Sequence, residues 1–276
     1  MIKYEKMTKQ RLTITLSAST LNKVDALIDN KNIRSRSHAI ETLIQQSLTP
    51  NISTAVILAG SKKKIKKPKP LTKINGKELI FYTLELLEEH GVEEVVILTN
   101  QAGKKIEEVV NQSQFPSKIK IKYLYENKPL GTAGAIKEAQ SKINNKTFYC
   151  LHGDILTNID LTELAAFHQD QKALATIALK PRVPQDSYDN VFLQGNKVVD
   201  FEPKKAGQIV SIVNTGVYIF EPAIFDWIPD TKPAKLETDV FPRLANNGRL
   251  LGFTFQGVWF DVATDKNYKE ALKEIH

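Results

Sequence analysis

Two aspartates stand where strands end. Asp154 closes the apolar run KTFYCLHGD (146–154), and Asp261 follows the aromatic run VWF, with TDKNYKEA after it. A carboxylate in that position either caps the next element or offers hard oxygens to a divalent cation. The stretch ENKPLGTAGAIKEA (126–139) sets a glycine-rich turn before a helix, whose first N–H groups suit a phosphate or a nucleotide. LAG (58–60) ends another apolar strand, and PKPL (68–71) follows a few residues on. Between Lys62 and Lys73 lie seven lysines and no acidic residue. That run is a nucleic-acid patch, a solvated loop, or a phosphate cradle built from charge instead of glycine.

These residues need a scaffold that brings strand ends together. From residue 53 onward, the strand patterns STAVILAG, EEVVILTN, KIKIKYLYE and KTFYCLHGD alternate with the helix patterns KELIFYTLELLEEHG, KKIEEVVNQ and GAIKEAQSKI. Such an order predicts an α/β fold with a mostly parallel sheet and helices on both faces. Ligands of these sheets collect at the carboxyl ends of the strands, which is where the motifs lie.

The chain has 276 residues, 42% of them apolar and 25% charged, enough for two domains with a sizeable core. Its net charge of +7 suits a polyanionic partner. A single cysteine, Cys150, excludes an internal disulfide framework and fits a reducing cytoplasm. With no signal-peptide pattern and no apolar run of bilayer-spanning length, the sequence predicts a soluble, cytoplasmic protein without a membrane partner.

The charge is uneven: residues 1–48 hold eight Lys/Arg against four Asp/Glu. This predicts a separate first unit over 1–48, a linker over 49–54 around Pro50 and Asn51, and a main domain over 55–276. RLTITLS (11–17) alternates Leu12, Ile14 and Leu16 against Arg11, Thr13 and Thr15, the pattern of a strand with one buried side. SASTLNKVDALIDN and SRSHAIETLIQQSL follow as two helices, the second capped by Ser35 or Ser37. A unit this small buries too little alone and should dimerise. Residues 9–48 resemble a ribbon-helix-helix (β-α-α) DNA-binding domain. The resemblance implies that Arg11, Thr13 and Thr15 face DNA bases from a two-stranded ribbon, and that the helix start at Ser35–Ser37 holds a phosphate. Use of the same unit for dimerisation alone is the other reading.

PKPL, PLGTAGAIKEA, GDIL, VNTGVYIFEP, ETDVFP and WFDVATDKNYKEA together resemble the sugar-phosphate nucleotidyltransferases, most of all their mannose-1-phosphate guanylyltransferase-like members. The likeness spans 53–276 and implies a Rossmann-like, GT-A-type domain with a mostly parallel mixed sheet. It also implies attack of a sugar 1-phosphate on the α-phosphate of an NTP, with release of pyrophosphate. By the same resemblance Asp154 and Asp261 bind Mg²⁺, Lys69 contacts phosphate at the reaction centre, and Glu202, Lys204, Asn214 and Thr215 hold the sugar phosphate. Leu58, Ala59, Gly60, Lys63, Lys64, Glu126, Gly131, Thr132 and Ala133 would line the nucleotide. A carboxylate at Glu126 can accept from the N1–H and N2–H₂ edge of guanine, which favours GTP; a solvated loop residue is the alternative. The sequence departs from the family where SKKKIKK stands in place of a G-x-G-T-R loop, so lysine charge replaces a glycine cradle and an arginine fork. FEPKK replaces the usual Glu-Lys-Pro, and Ala263 a glycine. The reading is a homodimeric or larger nucleotidyltransferase; a weak or inactive relative that senses nucleotides and controls a DNA-binding arm is the alternative.

Overall fold

The computed structural model describes residues 12–29, 31–48, 52–60, 68–100, 103–113, 118–182, 190–202, 211–231, 233–262 and 265–274. The chain divides into two compact units, Met1–Thr49 and Pro50–His276.

In the first unit, α1 (Ala18–Asp25) begins at Ser17, whose hydroxyl accepts from Thr20 N at 3.2 Å. The turn after it is organised by Asp29. Its Oδ1 accepts from the N–H groups of Lys31, Asn32 and Ile33 at 2.8–2.9 Å, and those bonds hold its carboxyl below the ordinary range. α2 (Arg36–Leu48) starts behind Ser35, whose Oγ accepts from His38 N at 3.2 Å. Arg36 grips Asp25 through Nε and Nη2 at 2.6 and 2.8 Å, tying the two helices. Residues 12–17 do not form the expected strand: they carry no ladder in the single chain. The side expected to be buried is open, with Leu12 79%, Ile14 46% and Leu16 36% exposed. The physical reason is the lack of a partner strand within one chain.

The second unit runs β1 (Thr54–Leu58), β2 (Lys73–Ile74), β3 (Lys77–Glu78), α3 (Leu79–Glu89), β4 (Glu94–Asn100), α4 (Lys104–Gln112) and β5 (Lys120–Glu126). Next come α5 (Gly131–Glu138), α6 (Gln140–Ile143), β6 (Phe148–His152), β7 (Ile155–Thr157), α7 (Leu161–Asp170) and β8 (Ala175–Arg182). The chain closes with β9 (Asn190–Gln194), β10 (Lys197–Glu202), β11 (Ser211–Phe220), α8 (Phe241–Asn246), β12 (Leu250–Thr254), β13 (Trp259–Asp261) and α9 (Asp265–Glu274).

Among the described residues nine strands form one sheet in the order β5-β4-β1-β6-β11-β8-β12-β10-β9. The expectation of a mostly parallel sheet is corrected. The half from β5 to β6 is parallel, as is β8 with β12, but β11 runs antiparallel to both neighbours and β9 and β10 form an antiparallel hairpin. Hairpin-linked strands such as β9 and β10 need no helical crossover and so pair antiparallel. β7 and β13 form a separate antiparallel pair.

Both faces of the central strands are covered, so those strands read as unbroken apolar runs. Ala55 and Ile57 face a core completed by Leu84 and Leu87 of α3 and Leu164 of α7. Val56, Val96, Cys150 and Tyr218 face the other, closed by Ile136 of α5 and Phe241 of α8. A third cluster joins Leu79, Leu156, Phe260 and Ala271 beneath the β7–β13 pair.

Candidate active site

Three motifs meet at the carboxyl edge of the sheet, and glycine lets them do so. Gly153 N donates to Leu58 O at 2.9 Å, joining the ends of β6 and β1. A Cβ at Gly153 would come within 3.0 Å of Pro70 Cγ and 3.2 Å of Leu58 O. LAG, PKPL and HGD therefore pack as one knot, in which a Cβ at 153 would require Pro70 or the 58–59 backbone to give by a few tenths of an ångström. Lys69 opens a one-turn 3₁₀ helix, Lys69–Leu71, on this knot. Its Nζ donates to Asp154 Oδ2 at 2.7 Å.

Asp261 reaches the same edge through the β7–β13 pair, in which it stands opposite Ile155, next to Asp154. Val262 N also donates to the Asp154 carbonyl at 3.0 Å. Asp154 and Asp261 thus line one cleft of about 190 Å³ despite their separation in sequence. Among the described residues no group of three or more His, Cys, Asp or Glu side chains could hold a metal. Two carboxylates are nonetheless a sufficient protein contribution for Mg²⁺, which keeps several waters. Lys69 shows that Asp154 accepts a cation here, so the residues fit that ion.

The opposite wall comes from β11. Asn214 Oδ1 accepts from Gly216 N at 3.0 Å, and its Nδ2 donates to Tyr218 OH at 3.0 Å. The pairing of β11 with β8 slips between Asn214 and Tyr218, and Gly216 takes φ +76°. A Cβ there would lie 3.0 Å from His152 Cγ. Thr215 lines the same cleft. It is 1% exposed and its hydroxyl donates to Ala178 O at 2.7 Å, so that group is occupied by the sheet. Its carbonyl accepts from Trp259 Nε1 at 2.8 Å, which seats the aromatic that precedes Asp261.

The glycine-rich turn also differs from the expectation. Gly131 (φ +76°) packs so tightly that a Cβ would lie 2.2 Å from Ala234 O. Ala133 N and Gly134 N both donate to that carbonyl, at 3.0 and 3.1 Å, and Ala234 N donates to Leu130 O at 2.8 Å. These two first-turn donors of α5 therefore serve the 234–237 segment and not a phosphate. Thr132 Oγ1 donates to Glu237 Oε2 at 3.1 Å and accepts from Leu236 N at 2.8 Å. The turn's role in the cleft is to present Glu237, which lies on a π-helical turn over Leu236–Val240.

Glu126 ends β5 beside Gly60, where an added Cβ would lie 3.8 Å from its Oε2. It lines a separate hollow of about 330 Å³ with Leu98, Leu124 and Leu130. Burial pushes its carboxyl up; a backbone hydrogen bond from Leu130 opposes this and the Glu138 charge adds to it. Leu58 and Ala59 are fixed by backbone bonds, Ala59 N donating to Leu98 O at 2.8 Å. Lys63, Lys64, Lys204 and Arg11 lie outside the described residues, as does the side chain of Glu202. Thr13 and Thr15 are exposed, Ser35 caps α2 and Ser37 sits in its first turn.

Sequence reasoning missed His152, Tyr218, Glu237 and Trp259 as cleft residues. His152 stands two positions before Asp154, and Tyr218 shares strand alternation with Asn214 and Gly216. That spacing was the available signal. For Glu237 the signal was the ETDVFP motif, which carried the family resemblance but no site assignment.

A family model described as "Nucleotidyl transferase" matches residues 63–276. The chain is 32% identical over 205 residues to a mannose-1-phosphate guanyltransferase of Yarrowia lipolytica, covering 73% of this chain and 56% of that protein. It is 31% identical over 226 residues to a UTP–glucose-1-phosphate uridylyltransferase of Synechocystis, covering 75% and 58%. The chain thus spans less than two thirds of the length of either relative. Among solved structures, HddC from Yersinia pseudotuberculosis complexed with GMP-PN superposes with a TM-score of 0.68 at 25% identity, covering 81% of this chain and 99% of that one. On these matches, and with its motifs gathered at one sheet edge, the chain belongs to the nucleotidyl transferase family.

Proposed function

We propose that the 50–276 unit transfers a nucleoside monophosphate from an NTP to a sugar 1-phosphate. An oxygen of the sugar phosphate forms a bond to the α-phosphorus, the bond from that phosphorus to the bridging oxygen breaks, and pyrophosphate leaves. The observation that carries this reading is the meeting of Lys69, Asp154 and Asp261 at one cleft. Such transfer depends chiefly on alignment and on neutralising charge. Asp154 and Asp261 would hold Mg²⁺, which when bound neutralises charge developing on the phosphoryl oxygens. Lys69 supplies a movable ammonium to the same oxygens. Asn214 and Glu237 offer polar groups for sugar hydroxyls, with Trp259 and Tyr218 as apolar walls. Lys204 and Glu202 are assigned to the sugar phosphate and Lys63 and Lys64 to the β- and γ-phosphates. Glu126 is assigned to the base, which favours GTP, whereas Leu58, Ala59, Gly60 and the 131–133 turn shape the walls.

The test is pyrophosphate release with Mg²⁺ across NTPs and sugar 1-phosphates. Asp154→Asn and Asp261→Asn should each lower kcat at least a hundredfold while circular dichroism stays unchanged. Turnover equal to that of the unaltered chain in both variants sinks the reading.

The first unit supports a second role. Its exposed Leu12, Ile14 and Leu16 suit pairing with another copy, and we infer a ribbon-helix-helix dimer that binds DNA through Arg11, Thr13 and Thr15. Binding should weaken steeply with salt, because phosphate contacts release counterions. Absence of salt-dependent retardation of genomic fragments rejects the DNA role and leaves dimerisation standing.

A further inference from the structure

A second polar basin lies at the other edge of the sheet, where β8 and β12 begin. Along β8, Leu174 at the basin is five residues from Leu179, which pairs with Asn214 of the cleft, so the two sites are roughly 17 Å apart. The basin has a volume of about 450 Å³. Three cations line it, each from a different element: Lys172 follows α7, Lys197 opens β10, and Arg249 precedes β12. Gln171, Gln194 and Asn196 add carboxamides, and among the described residues no Asp or Glu lines it. All three cations are exposed, and with no carboxylate in the lining their shared sign gives the hollow a positive field that favours an anion.

The backbone gives an independent reason to regard the arrangement as built. Lys172 has φ +48°, in the left-handed region. Lys172 N donates to Gln169 O at 3.0 Å and Ala173 N to His168 O at 3.2 Å, the closure in which a helix ends on a left-handed residue. Glycine is the favoured residue there, since a Cβ is strained. A lysine at that position gives up backbone stability and places an ammonium on the basin rim. The same bonds satisfy the α7 carbonyls, which blunts the negative helix end that would oppose an anion. The other two cations rest on fixed backbone: Arg249 N donates to Leu244 O at 2.9 Å, and Gly252 N to Asn196 O at 2.8 Å beside Lys197.

We propose that this basin is a binding site for a small phosphate-bearing anion, separate from the cleft and independent of the catalytic reading. Arg249 supplies a planar fork that fits two phosphate oxygens, Lys172 and Lys197 supply point charges, and the carboxamides donate to the remaining oxygens. Calorimetry on the full chain, with inorganic pyrophosphate and inorganic phosphate as probes in the presence of EDTA, tests it. At least one probe should bind saturably, and Lys172→Gly and Arg249→Gln should each weaken that binding roughly tenfold. Lys172→Gly relieves the left-handed strain, so its Tm should equal or exceed that of the unaltered chain, which separates loss of binding from loss of folding. A preference for pyrophosphate assigns a diphosphate site and a preference for phosphate a monophosphate site; either supports the proposal. Saturable binding that both variants leave unchanged belongs to the cleft or the lysine loop and overturns it. So does the absence of saturable binding.

Discussion

Gly216 and Glu126 show how much of the candidate site rests on single residues. Gly216→Ala would force a Cβ against the His152 ring in a left-handed backbone, a strain of about 1–2 kcal/mol. Its Tm should fall, and KM for the sugar phosphate should rise because Gly216 N fixes the Asn214 amide. A variant with unchanged Tm and KM would show that the β11 slip is unimportant. Glu126 makes a pH-dependent prediction. Burial raises its folded pKa above the ordinary 4.5, so the folded state holds this proton more tightly than the unfolded chain does. Its contribution is therefore most favourable below that value and declines as pH rises through the folded pKa. Glu126→Gln should remove this slope, giving a Tm at neutral pH no lower than that of the unaltered chain. On the base-recognition reading, the same change should narrow the preference for GTP over UTP.

At the scale of elements, the α5 turn and the π-helical turn act as one piece. Gly131→Ala would push a Cβ into Ala234 O and should cost at least about 1–2 kcal/mol. By loosening the Thr132–Glu237 contact it should also weaken sugar-phosphate binding more than it slows turnover at saturation. Equal effects on kcat and KM would count against Glu237 as a sugar contact. The sequence made the strand ends legible: LAG, HGD and WFD are short, local patterns, and each lies where a strand stops. The docking of Ala234 onto the start of α5 was not legible, because it joins segments about a hundred residues apart by backbone bonds that carry no side-chain signature. The antiparallel direction of β11 was hidden for a related reason. A strand buried on both faces reads the same whichever way its neighbours run.

At the scale of the molecule, the two-unit division follows the shift in charge and the break at Pro50. Residues 12–17 form no strand within one chain, and on the proposed reading their ladder partner belongs to a second copy. Sedimentation of the full chain should show a concentration-dependent dimer, and Ile14→Asp should shift it to monomer while the far-ultraviolet dichroism of the main unit persists. A dimer that survives Ile14→Asp must be held elsewhere. Among the described residues no helix is long and apolar enough to cross a membrane.

The Lys69–Asp154 contact has one more consequence. An ammonium at 2.7 Å already pairs with that carboxylate, so a divalent cation arriving alone must displace it into solvent. A cation arriving with a triphosphate meets no such opposition, because the displaced lysine can turn to the phosphate. On the proposed function, metal and nucleotide are therefore thermodynamically linked ligands, each raising the affinity for the other by the same factor. Lys69→Met should dissolve that cooperativity: Mn²⁺ titrated without nucleotide should bind more tightly to the variant than to the unaltered chain, and adding NTP should help it less.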